Sequence, residues 1–193
     1  MREQTRAMIQ REIADAAMRL FVTQGFAATT TDQIAEVAGV SPRSLFRYFG
    51  TKEDIVLGDM KAAGELVLDV LRGRPAGEDP LQALRAAMLA LGDVPGNSHD
   101  RALRIAEMFT KEPSLRARKA EKRHDWLTLL VPEIERRLGV EPGEVPDIRA
   151  HALVACALTC LDAATESWVQ RGGQGHLADL VDEALTVMRP ATS

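Results

Sequence analysis

The hydrophobic residues of this chain recur at helical spacing, and the pattern predicts helices with little else between them. Near the start, apolar side chains lie at three- and four-residue intervals, as the buried face of an amphipathic helix requires: Ile9, Ile13, Ala16, Ala17, Leu20 and Phe21. Gly25 stands where such a helix would end, because glycine readily adopts the left-handed conformation that closes a helix. This stretch therefore predicts one long helix ahead of Gly25.

Two short helices are predicted next. Thr30 is a candidate N-cap with Gln33 as its capping-box partner, and Gly39 ends the helix that they begin. Ser41 and Pro42 then begin another helix, because serine caps helices and proline fits the first helical position. We expect the apolar side of this helix to comprise Leu45, Phe46 and Phe49.

The rest of the chain predicts six further helices, separated by loops rich in glycine and proline. Their expected positions are 52–71, 80–91, 100–110, a helix that begins at Pro113, 147–171 and 176–188. The glycine cluster at 172–175 has neither a preceding strand nor a P-loop lysine, so we interpret it as a helix break. The expected fold class is all-α, with about nine helices: a three-helix head containing a helix-turn-helix, and a larger helical domain.

Charge and aromatic residues divide the chain into two parts. Residues 1–52 hold seven Lys and Arg against five acids, a net charge of +2, although the whole chain carries −4. Five of the six Phe and Tyr residues also lie before residue 53. We therefore expect two parts with different roles, an aromatic, mildly basic head at 1–52 and a longer acidic body at 53–193.

Composition excludes several classes of protein. Two cysteines cannot frame a disulfide-rich secreted domain. The first residues carry no signal-peptide pattern, and no apolar run approaches the ~18 residues that a membrane span needs. We expect a cytoplasmic protein without a membrane partner. The net charge of −4 does not by itself indicate a nucleic-acid binder.

A helix-turn-helix is the strongest candidate motif, with two short helices joined by residues 38–41. On the second helix, Arg43 and Arg47 can donate bidentate hydrogen bonds to guanine O6 and N7. Ser44 can donate or accept a hydrogen bond, and Pro42 can contact a thymine methyl. The spacing alone leaves open an ordinary helical hairpin with a solvated arginine face.

A second set of polar side chains suits the DNA backbone. Two of them begin helices, whose free N–H groups favour anions, and the other two flank the end of the second helix. This phosphate-contacting set is Thr31, Ser41, Tyr48 and Lys52.

Residues 25–53 read GFAATTTDQIAEVAGVSPRSLFRYFGTKE, and this stretch resembles the DNA-binding region of the TetR family of bacterial transcriptional regulators. The matching marks are a Gly-aromatic pair before a Thr pair, then Ile-Ala, Ala-Gly-Val-Ser, aromatic-x-Tyr-Phe and Lys-Glu. The resemblance covers about residues 5–60. The resemblance implies two sets of DNA contacts. Contacts to the DNA backbone are expected from Thr31, Ser41, Tyr48 and Lys52, and positions near the bases are expected for Pro42, Arg43, Ser44 and Arg47.

The resemblance also implies a DNA-binding domain at 1–52, a ligand-binding and dimerisation domain at 53–193, and a mode of action. Such a protein is a homodimer that binds double-stranded DNA, represses a promoter and leaves the DNA when a small ligand binds the larger domain. Two heads spaced by one or more helical turns predict a near-palindromic site. One departure is Phe46, where many relatives carry Tyr, so a hydroxyl-to-phosphate bond is absent at this position.

The last two helices are the candidates for the dimer interface. Residues 152–161 carry no charge, which is typical of a helix buried on more than one face. The final helix carries an apolar stripe at the same spacing as the first. We expect the two helices to form a four-helix interface with a second copy, and packing within one chain is the alternative.

A pocket for a small, hydrophobic ligand is expected among the middle helices of the larger domain. Methionine and aromatic side chains suit adaptable apolar pockets, and the candidate lining residues are Met88, Met108, Phe109, Trp126, Leu130, Cys156 and Cys160. Plain core packing is the alternative at each position. A basic run at 116–124 is either a solvated helix face or a site for an anionic ligand such as the phosphates of an acyl thioester.

No motif for catalysis or metal binding stands out. Cys156 and Cys160 lie one helical turn apart, but without a histidine on that face they make an incomplete metal site. We therefore expect no enzyme activity, cofactor or metal. Two other classes stay open: a helical enzyme or carrier with Asp162 and Glu166 as paired acids, and an interaction module whose arginine face binds an acidic protein.

Overall fold

The computed structural model describes residues 2–93 and 98–188. Within these ranges the chain forms nine α-helices and no strand, and the predicted all-α fold is confirmed. The helices are α1 (Arg2–Gln24), α2 (Thr31–Val37), α3 (Pro42–Tyr48), α4 (Lys52–Gly73), α5 (Pro80–Leu89), α6 (His99–Lys111), α7 (Pro113–Arg137), α8 (Ile148–Gln170) and α9 (Leu177–Leu185).

Two helices end earlier than the sequence predicted. α5 gives way to a 3-10 turn at Ala90–Asp93, and α9 gives way to another at Thr186–Met188. A tighter last turn of this kind commonly satisfies the carbonyl groups that an α-helix leaves free at its end.

The cap residues fix the short helices of the head as predicted. Thr30 and Gln33 form a reciprocal capping box, with Gln33 N donating to Thr30 Oγ1 over 3.2 Å and Thr30 N donating to Gln33 Oε1 over 2.9 Å. Gly39 has a φ of +68°, and Ser41 Oγ accepts from the Ser44 N–H of α3 over 3.1 Å. Such caps each contribute about 1 kcal/mol to helix stability.

The chain divides into two compact units. One comprises the chain up to Ala62 together with Met108–Ala120, and the other comprises Ala63–Glu107 and the chain from Glu121 onward. This division follows contacts, whereas the predicted boundary between 1–52 and 53–193 concerns function and stays a prediction.

The first unit includes the beginnings of two long helices. Arg118 of α7 pairs with Asp54 of α4 at 3.3 Å, and Ser114 Oγ donates to Glu53 Oε1 over 3.3 Å. Asp54 also caps α4 by accepting from Thr51 N over 2.9 Å. The start of α4 is therefore held both by its own cap and by α7.

The second unit contains two clusters of buried apolar side chains. One joins residues of α4, α5, α7 and α8, and the other joins residues of α6, α8 and α9. α8 contributes to both clusters, which explains why so much of its sequence is apolar.

A buried arginine closes the end of α4. The Arg137 side chain is only 4% exposed, and its guanidinium donates to the carbonyls of Leu71, Arg74 and Pro75. Glu133 balances its charge at 3.4 Å. Cations at the C-terminus of a helix satisfy its free carbonyls and interact favourably with its dipole.

The glycine cluster predicted as a helix break ends α8 and also packs against α6. Gly172 and Gly173 have φ values of +63° and +79°, a conformation that side chains disfavour. At Gly173 an added Cβ would lie 2.7 Å from Leu103 Cδ2, whereas nothing lies within 4 Å of such an atom at Gly172.

This difference predicts unequal effects of alanine at the two positions. Gly172→Ala should lower the free energy of unfolding by about 1–2 kcal/mol, the cost of a left-handed non-glycine residue. Gly173→Ala should cost about 1–3 kcal/mol more, because Leu103 must move. Urea denaturation followed by circular dichroism measures both values, and equal losses would show that the contact with α6 contributes nothing.

Candidate DNA-binding surface

Helix α3 is buried on one side and exposed on the other. Leu45 is fully buried, and Ser44 is half-buried with its hydroxyl accepting from Ser41 Oγ over 3.0 Å. Four side chains of α3 are exposed: Pro42, Arg43, Phe46 and Arg47. Because side chains three and four positions apart share a helix face, these four form one outward surface.

The position of Phe46 corrects the sequence analysis. Phe46 was expected on the apolar side beside Leu45, but its side chain is 51% exposed. The hydrophobic pattern was misleading here, because α3 has only seven residues and buries a single one of them. Val37 of α2 is another exposed apolar residue, at 49%.

Tyr48 lies at the end of α3 between two arginines. The Arg47 Cζ is 5.2 Å from the centre of the Tyr48 ring, and the Arg6 Cζ is 5.9 Å from it. Both distances fall within the range of cation–π contacts. Arg6 is on α1 and is not among the predicted site residues, because nothing in the sequence places α1 beside α3.

Lys52, predicted to contact phosphate, has strong partners inside the head. Its Nζ donates to Phe26 O over 2.8 Å and to Thr29 O over 3.2 Å, and it lies 4.3 Å from the centre of the Phe26 ring. An ammonium has three donors, so one remains for another group. Lys52 thus ties the start of α4 to the loop between α1 and α2.

The three adjacent threonines before and within α2 have different environments. Thr29 is buried and donates to Gly25 O over 2.7 Å, and Thr30 is the N-cap. Thr31, the predicted phosphate contact, is half-buried at the first position of α2. Ser41 caps α3 and is exposed.

Among the described residues, the arginines around α3 have no acid beside them, whereas several arginines of the second unit do. In the second unit, Arg74, Arg85 and Arg123 each pair with a carboxylate. In the described ranges, Arg43 and Arg47 form no ion pair, and Arg6 contacts only the Tyr48 ring. Exposed guanidinium groups without an acidic partner are free to donate to phosphate or base edges.

Three of the predicted pocket residues belong to one buried cluster, and the cluster does not include the others. Met88, Trp126 and Leu130 belong to the cluster of α4, α5, α7 and α8. Met108 and Phe109 belong to the first compact unit, and Cys160 belongs to the cluster of α6, α8 and α9. Cys156 is exposed.

Trp126 of α7 lies directly against Gly64 of α4. A Cβ added at Gly64 would lie 3.0 Å from Trp126 Nε1 and 3.4 Å from Leu129 Cδ2. Glycine therefore lets the indole approach the α4 backbone. This pairing could not be predicted from the sequence, because the two residues are far apart along the chain.

Two arginines of the basic run at 116–124 are paired with acids. Arg118 pairs with Asp54, and Arg123 donates to Asp162 over 2.9 Å and also to Ala155 O and Thr159 Oγ1. Arg116 is exposed. Because Asp162 is held by Arg123 and Glu166 is exposed, the structure does not present them as a buried acid pair.

α8 shows a further difference from the sequence analysis. Among the described residues, this helix is long and apolar enough to cross a membrane, by length and composition only. A core helix of a soluble protein meets the same criterion, and α8 buries Val154, Leu158 and Trp168 among others in contact with α5 and α9. The sequence of α8 contains no unbroken apolar run of that length, because polar residues interrupt the helix.

The cysteines of α8 have different environments. Burial, with a smaller contribution from Cys156, raises the pKa of the Cys160 thiol, and its Sγ lies 3.5 Å from Ala184 O. A buried thiol with a raised pKa is poorly reactive, so Cys160 acts as a packing residue. In the described ranges, no group of three His, Cys, Asp or Glu is placed to hold a metal ion.

Comparison with known protein families matches both parts of the chain. Residues 13–58 match the family described as bacterial regulatory proteins, tetR family. Residues 78–193 match the MftR C-terminal domain. The first match contains α2, α3 and the start of α4, which are the elements that build the candidate surface.

Two curated relatives cover most of the chain. The HTH-type transcriptional regulator TcmR of Streptomyces glaucescens is 34% identical over 185 residues, covering 90% of this chain and 80% of TcmR. The putative mycofactocin biosynthesis transcriptional regulator MftR of Mycobacterium tuberculosis is 29% identical over 168 residues, covering 86% and 82%.

Solved structures share the fold. The TetR-family repressor FadR of Thermus thermophilus, in complex with lauroyl-CoA, has a TM-score of 0.61 and 22% identity, covering 95% of this chain and 98% of FadR. FadR of Bacillus subtilis, in complex with stearoyl-CoA, has a TM-score of 0.62 and 19% identity, covering 95% and 99%.

These relatives regulate transcription and are not enzymes, so the helical enzyme considered from the sequence is set aside. The helix-turn-helix, the all-helical fold and the family matches over both parts of the chain agree. The chain belongs to the TetR family of bacterial transcriptional regulators.

Proposed function

We propose that this regulator is a ligand-responsive repressor, which binds a near-palindromic operator as a homodimer and is released by a small hydrophobic ligand. One observation carries the DNA-binding part: the outward face of α3 holds Arg43 and Arg47, which are exposed and have no acidic partner in the described ranges. A repressor acts on the chromosome, so we place its activity in the cytoplasm.

The face of α3 suits a major groove. Arg43 and Arg47 supply donors in the fork geometry that guanine O6 and N7 accept, and Pro42 supplies an apolar contact. Ser44 is half-buried and bonded to Ser41, so its access to bases is smaller than that of the arginines.

Phosphate contacts surround this face in the proposed complex. Thr31, Ser41 and Tyr48 lie at helix ends, and Lys52 has one donor left after its two internal bonds. We add Arg6, whose guanidinium shares the Tyr48 ring with Arg47. Each phosphate neutralised adds about 0.9 to the slope of log K against log salt.

Arg43→Ala should therefore weaken binding to an operator that the wild type selects from a random duplex pool. The expected loss is about 1–3 kcal/mol, because one bidentate base contact disappears. Fluorescence anisotropy on the operator and on a scrambled duplex separates the base contact from general charge attraction.

Arg19→Ala is the matched control, because Arg19 is an exposed arginine of α1 outside the proposed surface. It should bind both duplexes as the wild type does. If Arg43→Ala loses as much affinity for the scrambled duplex as for the operator, Arg43 does not read bases.

The dimer is proposed to form through α8 and α9. The side chains Ile148, Ala152, Cys156, Thr159 and Ala163 are exposed and recur at three- and four-residue intervals along α8. Small residues in such a stripe let a second helix approach closely. Ile148, 81% exposed, would otherwise leave its apolar side chain in water. Cys156 then belongs to this stripe rather than to a pocket.

Ala163→Arg should disrupt the proposed interface. Each of the two copies would bury an unpaired guanidinium, and the dissociation constant of the dimer should rise roughly 100-fold or more. Sedimentation velocity over a concentration series measures the change. Ala117→Arg, at an exposed position of α7, should leave the dimer intact. A dimer unaffected by Ala163→Arg would place the interface elsewhere.

An acyl-CoA is the proposed ligand class. Two supports exist: the FadR structures hold lauroyl-CoA and stearoyl-CoA, and the cluster of Met88, Trp126 and Leu130 is an apolar environment for an acyl chain. A ligand releases DNA only if it binds the DNA-free state more tightly.

Lauroyl-CoA should therefore weaken operator binding by roughly 5–150-fold, the usual size of such coupling. Coenzyme A alone and laurate alone are the controls, and neither should match the thioester. In the variant Trp168→Phe the remaining indole is Trp126, whose fluorescence should change on binding. Operator affinity that stays constant with both lauroyl-CoA and stearoyl-CoA would contradict this ligand class.

A further inference from the structure

Phe46 occupies an unexpected place for an aromatic residue. Its ring is 51% exposed, and it stands in the outward face of α3 together with Pro42, Arg43 and Arg47. Isolated exposed apolar residues are common on protein surfaces and need no explanation by themselves. Phe46 needs an explanation because it lies beside Arg43 and Arg47, which have no acidic partner in the described ranges.

The helix geometry places Phe46 on the same side as the proposed guanine-reading arginine. Arg43 lies three positions before it and Pro42 four positions before it, and residues at these spacings are neighbours on a helix. Any duplex that reaches the Arg43 guanidinium through its major groove therefore also meets the Phe46 ring. The ring has no donor or acceptor, so it cannot take the phosphate contact that a tyrosine hydroxyl would make.

One group in the major groove matches an aromatic ring. The C5-methyl of thymine is the apolar feature that distinguishes a T·A pair in this groove, and phenylalanine is among the residues that contact it. We propose that Phe46 reads a thymine methyl in each half-site and so determines part of the operator sequence. This inference rests on the proposed DNA-binding function and adds to it a contact that has no hydrogen bond.

The same geometry fixes where this thymine lies. Three residues along an α-helix advance about 4.5 Å at 1.5 Å per residue. Base pairs are about 3.4 Å apart along each strand. The thymine read by Phe46 should therefore lie within about two base pairs of the guanine read by Arg43.

Deoxyuridine tests the contact, because it lacks only the C5-methyl of thymine. The probe is the duplex that the wild-type protein selects from a random pool, with each thymine replaced in turn by deoxyuridine. At the position that Phe46 reads, one per half-site, the wild type should lose affinity about fourfold, the effect of burying one methyl group, and about fifteenfold when both half-sites are replaced. At that position Phe46→Ala should bind the thymine and uracil probes equally. A thymine that Pro42 contacts is a separate position, at which Phe46→Ala should keep the wild-type uracil penalty.

Val37→Ala is the matched control, because Val37 is 49% exposed in the same head but lies on α2 rather than α3. It should keep the wild-type ratio between thymine and uracil probes. Phe46→Leu keeps an apolar side chain and should keep part of the ratio. Circular dichroism before each titration compares the folding of the variants with that of the wild type.

The outcomes separate this inference from the function on which it rests. A selected operator at which the wild type tolerates every uracil, or at which Phe46→Ala shows the same uracil penalty as the wild type at every position, would overturn the role of Phe46 alone. A pool that yields no operator would overturn the proposed function and this inference with it.

Discussion

The burial of Leu45 is the constraint on which the DNA-binding surface depends. α3 has seven residues, and a helix of this length is unstable in isolation. It holds its place because Leu45 is fully buried, because Ser41 caps its first turn and because Gly39 turns the chain ahead of it. Because Leu45 is the residue of α3 that is buried, the opposite side of the helix faces outward, with Pro42, Arg43, Phe46 and Arg47 exposed.

The arginines of α3 differ in charge pairing from several arginines of the second unit. In the second unit, guanidinium groups such as those of Arg123 and Arg137 are used to join helices or to close a helix end. Around α3, the guanidinium groups of Arg43 and Arg47 have no acid beside them in the described ranges. A chain with a net charge of −4 can thus present a local cationic surface, because the acids lie elsewhere or are already neutralised.

Much of the fold and of the site could be predicted from the sequence, because the signals were local. Gly25, the Thr30–Gln33 capping box and the Ser41 cap act within a few residues, so they determine α1, α2 and α3 without knowledge of the rest. What the sequence does not show depends on contacts between distant residues. The exposure of Phe46, the internal bonds of Lys52 and the approach of Arg6 to Tyr48 depend on how α1, α3 and α4 pack. Residue type alone does not show which side chains share a cluster, so the pocket residues stay a prediction.

The central claim is that the outward face of α3 reads base pairs as half of a symmetric dimer. Selection of binding sites from a random duplex pool by the wild-type protein tests it most directly. The account predicts an inverted repeat, with a guanine in each half-site and half-site centres about 10 base pairs or a multiple apart. A pool that stays random at low salt, where charge attraction is strongest, would contradict it.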